Sequence, residues 1–184
     1  MSQSELLIHT IRALAESAHE YMLTGSLVSS IQGDPRATHD IDLVVSATPQ
    51  SIGTFLTRFN NDEYYYDSDA AKDAIKNGGM FNILSVSGDK VDIWALTDSE
   101  FDKMRFSRRQ PIELFGISLY VSSPEDTILM KLLWSKLSGG SEKQLFDAAQ
   151  VYTLQQEILD AAYLETWISK LDLNAQFKAM QRYI

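Results

Sequence analysis

The acids Asp40 and Asp42, in the run Asp40-Ile41-Asp42-Leu43-Val44-Val45-Ser46, have the type and spacing that most directly suggest chemistry. The aliphatic residues around them read as a β-strand, in which side chains alternate faces. Both carboxylates then project from one side, while Ile41, Leu43 and Val45 point the other way into a core. Two like charges on a buried strand repel each other, and a divalent cation is the usual compensation. Asp92, in Lys90-Val91-Asp92-Ile93, supplies a third carboxylate if its strand lies beside 40–46. Otherwise it is a polar residue alternating on a half-exposed strand.

Other residues have both a chemical and a structural reading. Gly25 permits close backbone approach, and the helix after Gly25-Ser26 offers free amide groups to a phosphate. The same pair also reads as an ordinary strand-to-helix turn capped by Ser26. Lys131, inside Ile128-Leu129-Met130-Lys131-Leu132-Leu133, must snorkel to water or find an anion such as a triphosphate. Lys143 and Asp147 lie one helical turn apart and read as a plain i,i+4 pair ahead of a second nucleotide contact. Lys103, Arg105, Arg108 and Arg109 form the only basic cluster, which reads as a solvated face ahead of a phosphate or RNA contact. His9, His19 and His39 have no metal-ligand spacing, and neither a Walker A nor a G-x-G-x-x-G pattern is present.

The elements that position these residues follow in order. Helical periodicity covers 4–20, and a short strand Tyr21 to Thr24 leads through Gly25-Ser26 into about two helical turns. Gly33-Asp34-Pro35 breaks that helix before strand 40–46. A helix from Pro49 to about 59, a strand at Tyr64 to Tyr66 and a helix 69–77 stopped by Gly78-Gly79 come next. Runs 80–86 and 90–96 form a hairpin around Ser87-Gly88-Asp89, with Val91, Ile93 and Ala95 on one face and Asp92 on the other. A helix 99–106 precedes a hairpin of 111–115 and 117–121. Ser123 caps a helix to about 137, with Pro124 at its first position and Glu125 and Asp126 in its first turn. Helices 142–153, 156–170 and 173–182 complete the chain. The expectation is an α+β fold: a mixed sheet flanked by helices over 1–122, with a helical part 123–184 packed on it as one unit.

Composition sets outer bounds. The 184 residues suit one domain, and 45% hydrophobic content suffices for a core. The absence of cysteine excludes disulfides and thiolate metal sites and is compatible with a reducing, cytoplasmic setting. No apolar run approaches the roughly 20 residues of a membrane helix, so no membrane partner is expected. The N-terminus lacks the features of a signal peptide and reads as mature structure. A net charge of -9 gives little long-range attraction to a nucleic-acid backbone.

Taken together, the motifs resemble the nucleotidyltransferase superfamily, the polymerase-beta-like group. That pattern stands here as Leu23-Thr24-Gly25-Ser26, then Asp40-Ile41-Asp42, then Lys90-Val91-Asp92-Ile93. The lead-in Arg36-Ala37-Thr38-His39-Asp40-Ile41-Asp42 looks like the R-x-T-x-D-I-D version of AbiEii-like bacterial proteins. The stretch Ile117 to Lys131 is also similar to that group, and the resemblance covers roughly 20–150. In the last motif AbiEii-like proteins often carry Arg-Asp-x-x-Asp; here the second acid is absent, after Leu145-Phe146-Asp147.

The resemblance implies a transferase moving a nucleoside monophosphate from an NTP to a hydroxyl, with two Mg²⁺ ions. Asp40, Asp42 and Asp92 would be the catalytic metal ligands, converging on one cleft that faces Gly25-Ser26. Gly25, Ser26 and Lys131 would contact the nucleotide. A protein or small-molecule hydroxyl is expected as acceptor ahead of tRNA, because of the acidic charge. The alternative is a non-catalytic nucleotide- or partner-binding module of a toxin–antitoxin-type system, with a partner protein from a neighbouring gene.

Overall fold

A computed structural model describes residues 2–184, and the chain forms two compact units. Of the described residues the first comprises 2–24 and 39–121, and the second 25–38 and 122–184.

The first unit is built on a seven-stranded mixed sheet. Its strands are β1 (Glu20–Thr24), β2 (Asp40–Ser46), β3 (Tyr64–Tyr65), β4 (Met80–Ser85), β5 (Lys90–Ala95), β6 (Gln110–Leu114) and β7 (Ile117–Val121). They lie in the order β3-β4-β5-β2-β1-β7-β6. β2 runs parallel to β5 and antiparallel to β1, and β1 runs parallel to β7. One face carries Leu23, Ile41, Leu43, Val45, Ile83, Val91 and Ile93, all fully buried. This alternation follows from the strand period of two.

Helix α1 (Gln3–Glu16) begins with a Ser2–Glu5 capping box and buries Leu6, Leu7, Ile11 and Leu14. Helix α3 (Pro49–Leu56) begins with Thr48 as cap and Pro49 in its first turn. Helix α4 (Ser68–Asn77) is capped by Asp67 and stops at Gly78, whose φ of 70° is left-handed. Helix α5 (Glu100–Ser107) brings Phe106 against Met22 and Val44, with Trp94 and Leu96 packed around them.

The second unit is helical. It consists of α2 (Gly25–Gln32), α6 (Pro124–Leu137), α7 (Glu142–Gln155), α8 (Ala161–Lys170), α9 (Asn174–Met180) and a closing 3-10 turn. Segment 25–38 is remote in sequence from these helices but is bonded to them. Gln32 Nε2 donates to the Ser122 carbonyl at 2.7 Å, and Gln155 Nε2 donates to the Gln32 carbonyl at 2.7 Å. At Gly33 a Cβ would lie 2.8 Å from the Ser29 carbonyl oxygen and 3.1 Å from the Val151 nitrogen, so only glycine fits.

One sequence expectation fails here: 156–170 is not a continuous helix. Asp160 caps a new helix by accepting from the Tyr163 amide at 3.0 Å. Its own amide donates to Glu125 Oε1 at 2.9 Å, and Tyr163 Oη donates to Asp126 Oδ1 at 2.6 Å. Side chains from the first turn of α6 thus fix where α8 starts, and periodicity within 156–170 cannot register them. Among the described residues no helix is long and apolar enough to cross a membrane.

Candidate functional site

In the first unit strand register puts the three acids on one face of β2 and β5. Asp42 is paired with Asp92 across β2 and β5, and Asp40 with Lys90. Thr24 is opposite Asp42 on β1, and Asn82 is opposite Asp92 on β4. Paired residues share a face, so Thr24, Asp42, Asp92 and Asn82 form one polar row across four strands. Below it on the same face lie the apolar Met22, Val44 and Trp94. The row therefore sits where the apolar packing of that face ends.

Exposure differs sharply along this edge. Asp40 is exposed, Asp42 half-buried and Asp92 buried, at 8%. Sequence alternation had Asp92 on the face opposite Val91 and Ile93, as the register has it, but its burial is deeper than a half-exposed strand gives. Asp92 Oδ2 accepts from Lys90 Nζ at 2.7 Å, while Oδ1 is buried with no hydrogen-bond partner. Lys90 Nζ also lies 3.9 Å from Asp40 Oδ1. The hydrogen bond to Asp92, with the charges of Asp40 and Asp42, raises the Lys90 ammonium above its ordinary pKa. Asp42 Oδ1 accepts from Trp94 Nε1 at 3.4 Å.

A divalent cation suits this donor set. Three carboxylates on one face exceed the single ammonium among them, and a buried Asp92 oxygen lacks a bond that a cation would supply. Among the described residues, however, no three acid or imidazole groups are already drawn together as a metal centre. The ammonium holds the place of positive charge.

In the second unit Gly25 starts α2 with a φ of 73°, a conformation open to glycine. Ser26 follows in the first turn. Lys131 on α6 is 96% buried, since its relative exposure is 4%. Its Nζ donates to Asp147 Oδ2 at 2.8 Å and to Ser26 Oγ at 3.4 Å. Arg36 approaches the same carboxylate with two prongs, Nε to Oδ1 at 3.1 Å and Nη2 to Oδ2 at 2.7 Å. Burial raises the Asp147 carboxyl, but the bonds from Arg36 and Lys131 outweigh it and hold the group below its ordinary pKa. Lys131 is lowered chiefly by burial, which its bond to Asp147 only partly offsets.

Two readings from the sequence are corrected by these contacts. The plain Lys143–Asp147 pair is not what Asp147 forms: both its oxygens are committed to Arg36 and Lys131. The helix rotates Asp147 inward, and it meets cations from 16 and 111 residues away. The basic cluster is a solvated face only in part. Arg105 is buried and donates to Asp102 at 2.6 Å. Arg109 pairs with Glu20 at 2.5 Å and lies over the rings of Phe106 and Tyr120. Lys103 pairs with Asp98 at 2.8 Å.

Lys90, Trp94 and Asn82 were not singled out from sequence. Parity alone reaches them: each is an even number of places from Asp92 or directly opposite it. Arg36 stood in the motif without a role, because its partner is set by the tertiary fold.

No family model and no curated protein matches the chain. Solved structures do. An antigenic nucleotidyltransferase-like protein from Paracoccidioides brasiliensis is 18% identical, with a TM-score of 0.55 over 94% of this chain and 91% of that one. The protein ANT(2")-Ia, in complex with adenylyl-2"-tobramycin, is 13% identical, with a TM-score of 0.64 over 94% of this chain and 98% of that one. The lincosamide antibiotic adenylyltransferase LnuA, bound to lincomycin, is 14% identical, with a TM-score of 0.55 over 80% of this chain and 95% of that one. At these identities the likeness is one of fold: a mixed seven-stranded sheet and its helices arranged as in a nucleotidyltransferase.

Proposed function

We propose that the chain is a nucleotidyltransferase that moves a nucleoside monophosphate from an NTP to a hydroxyl acceptor in the presence of Mg²⁺. The observation that carries this reading is the register pairing of Asp42 with Asp92 beside Asp40, with one buried Asp92 oxygen left without a bond. In this reading Asp40, Asp42 and Asp92 hold two Mg²⁺ ions. When bound, such ions polarise the phosphoryl oxygens and lower the pKa of the acceptor hydroxyl. The carboxylates therefore bind and orient, and none is needed as a general base.

Gly25, Ser26 and Lys131 are the proposed phosphate contacts. Gly25 turns the chain into α2 with a left-handed φ, and the first amides of α2 are the donors this reading assigns to a phosphate. Lys131 and Arg36 together carry one more positive charge than Asp147 neutralises, which favours an anion at that end of the second unit. The acceptor hydroxyl gives up its proton to solvent, its oxygen attacks the α-phosphorus, the bond from that phosphorus to the α–β bridging oxygen breaks, and pyrophosphate leaves.

The proposed acceptor is a small-molecule or protein hydroxyl. The charge of -9 opposes a polyanion, and of the cations at 103–109 Arg105 and Arg109 are already engaged by Asp102 and Glu20. Two neighbours of the same fold are described with small antibiotics bound, which is in keeping with a small acceptor. The R-x-T-x-D-I-D lead-in supports a place near AbiEii-like proteins within the superfamily.

One observation favours a second reading. Lys90 already supplies a cation to the acids, as a non-catalytic nucleotide- or partner-binding module of a toxin–antitoxin-type pair would retain. Incubation with labelled ATP, CTP, GTP and UTP, Mg²⁺ and, separately, polyhydroxylated small molecules, cell protein extract or total tRNA decides between them. Label on a small molecule or protein, lost in Asp40→Ala, is the expected result. Labelled tRNA 3′ ends would keep the reaction class and overturn the acceptor. NTP binding with no transfer to any acceptor would favour the module.

A further inference from the structure

Lys90 pairs with two of the three acids of the edge, a contact that nucleotidyl transfer does not itself call for. Strand register sets it opposite Asp40 and, two residues along, on the same face as Asp92. Its Nζ is 2.7 Å from Asp92 Oδ2 and 3.9 Å from Asp40 Oδ1. The ammonium serves one oxygen of Asp92, and the other, Oδ1, is buried without a partner. Leaving such an oxygen unbonded is costly in a buried setting, so Asp92 is only half satisfied. The lysine side chain itself is 38% exposed, so its head has an open route to water.

We infer that Lys90 is an internal counter-cation, held on Asp92 and Asp40 until a divalent ion displaces it. The inference rests on the reading of Asp40, Asp42 and Asp92 as cation ligands. The three carboxylates and the Lys90 ammonium carry a formal charge of minus two between them, and a divalent ion in place of that ammonium makes it minus one. The exchange is therefore favourable in charge but loses the Lys90–Asp92 hydrogen bond. A lysine head is strongly hydrated and its stem flexible, so it leaves without disturbing β5. The affinity for metal is then a difference, and Lys90 sets the ion concentration at which the acids load. Without metal the same residue suppresses the repulsion that three close acids would exert on the sheet.

Lys90→Met keeps the bulk of the stem and deletes the charge. Mn²⁺ is titrated into the full chain, with free ion followed by electron paramagnetic resonance and the melting temperature measured with and without Mn²⁺. The metal-free melting temperature of the variant is expected to fall. Its Mn²⁺ dissociation constant is expected to tighten about three- to tenfold, and its metal-induced thermal gain to grow. Lys90→Arg, which retains fold and charge, should shift affinity the other way, because a guanidinium grips carboxylates with two prongs. If Asp42→Asn loses Mn²⁺ but Lys90→Met binds it no more tightly than the unmodified chain, the counter-cation role is wrong and the ligand reading stands. If neither the unmodified chain nor Lys90→Met binds Mn²⁺, the inference and the ligand reading beneath it both fall.

Discussion

The charges around Asp92 and those around Asp147 are built on opposite terms. At the sheet edge two of three carboxylates, Asp40 and Asp92, share the half-exposed Lys90 ammonium, and one buried Asp92 oxygen goes without a bond. In the helical unit two cations converge on one carboxylate, and every oxygen of Asp147 is used. The first set has an excess of negative charge and an exposed member, Asp40. The second has an excess of positive charge, and its Lys131 and Asp147 are almost fully enclosed. The enclosed network holds helices in place and keeps one positive charge over for an anion; the open one, with an oxygen unbonded, is poised to bind a cation. The two should respond differently to mutation.

The largest expected effect is in the helical unit. Asp147→Ala leaves Lys131 buried without its anion and should cost about 3–5 kcal/mol of stability, the range for breaking a buried pair. Urea unfolding measures it, and a loss below about 1 kcal/mol would mean that the network is not a structural device. Replacing both partners, Lys131→Met with Asp147→Leu, should recover most of the loss, since an apolar pair of similar volume avoids the desolvation penalty.

The sheet edge should show the reverse pattern. Asp42→Asn keeps an oxygen to accept from Trp94 and removes one of three like charges, so the metal-free stability should stay within about 0.5 kcal/mol. Nucleotidyl transfer should nevertheless fall by at least about 10²–10³-fold, the scale of losing several kcal/mol of charge stabilisation. Thermal denaturation without metal and a labelled-NTP assay separate the two. A variant that melts several degrees lower but retains its rate would invert the comparison.

How far each region can be read from sequence follows the range of its contacts. The strand 40–46 and the parity of Asp40 and Asp42 depend on neighbours two residues away, and β2 spans those bounds. Ser123 and Pro124 similarly announced α6. Lys90 was within the same reach, because parity alone puts it on the face of Asp92. Arg36, Lys131 and Asp147 were beyond it: the chain offers a buried-looking lysine at 131 and an acid at 147, but their meeting depends on how α6 and α7 pack. The break before Ala161 failed for the same reason, since Glu125 and Asp126 fix it from another helix.

The two limbs of the stability–pH curve sharpen the picture of the helical network. The Asp147 carboxyl sits below its ordinary value of 3.8 in the folded chain. Its stabilising contribution is therefore complete above that value and lost as pH falls through the lower folded pKa. Lys131 sits below its ordinary 10.5, so the unfolded chain binds the extra proton between the folded value and 10.5, and stability from this group rises with pH across that window. Melting temperatures of Asp147→Asn and the unmodified chain should converge on the acid side. Curves that stay parallel down to full protonation would show that Asp147 gains nothing from its two cations.

The smallest effect tests whether Trp94 acts on the sheet edge or only packs beneath it. Its ring lies against Met22, Val44 and Phe106, and its Nε1 donates to Asp42 Oδ1. At 3.4 Å that bond is long, so its loss should cost no more than about 0.5–1 kcal/mol. Trp94→Phe retains most of the packing and deletes the donor. If the indole orients the Asp42 carboxylate, Mn²⁺ affinity should drop about two- to fivefold while the melting temperature in the absence of metal changes by only a few degrees. Trp94→Leu then serves as a control for lost ring volume, since neither replacement carries a donor but leucine also leaves a gap. Equal Mn²⁺ affinity in the unmodified chain and Trp94→Phe would reduce Trp94 to packing and leave the orientation of Asp42 to the strand alone.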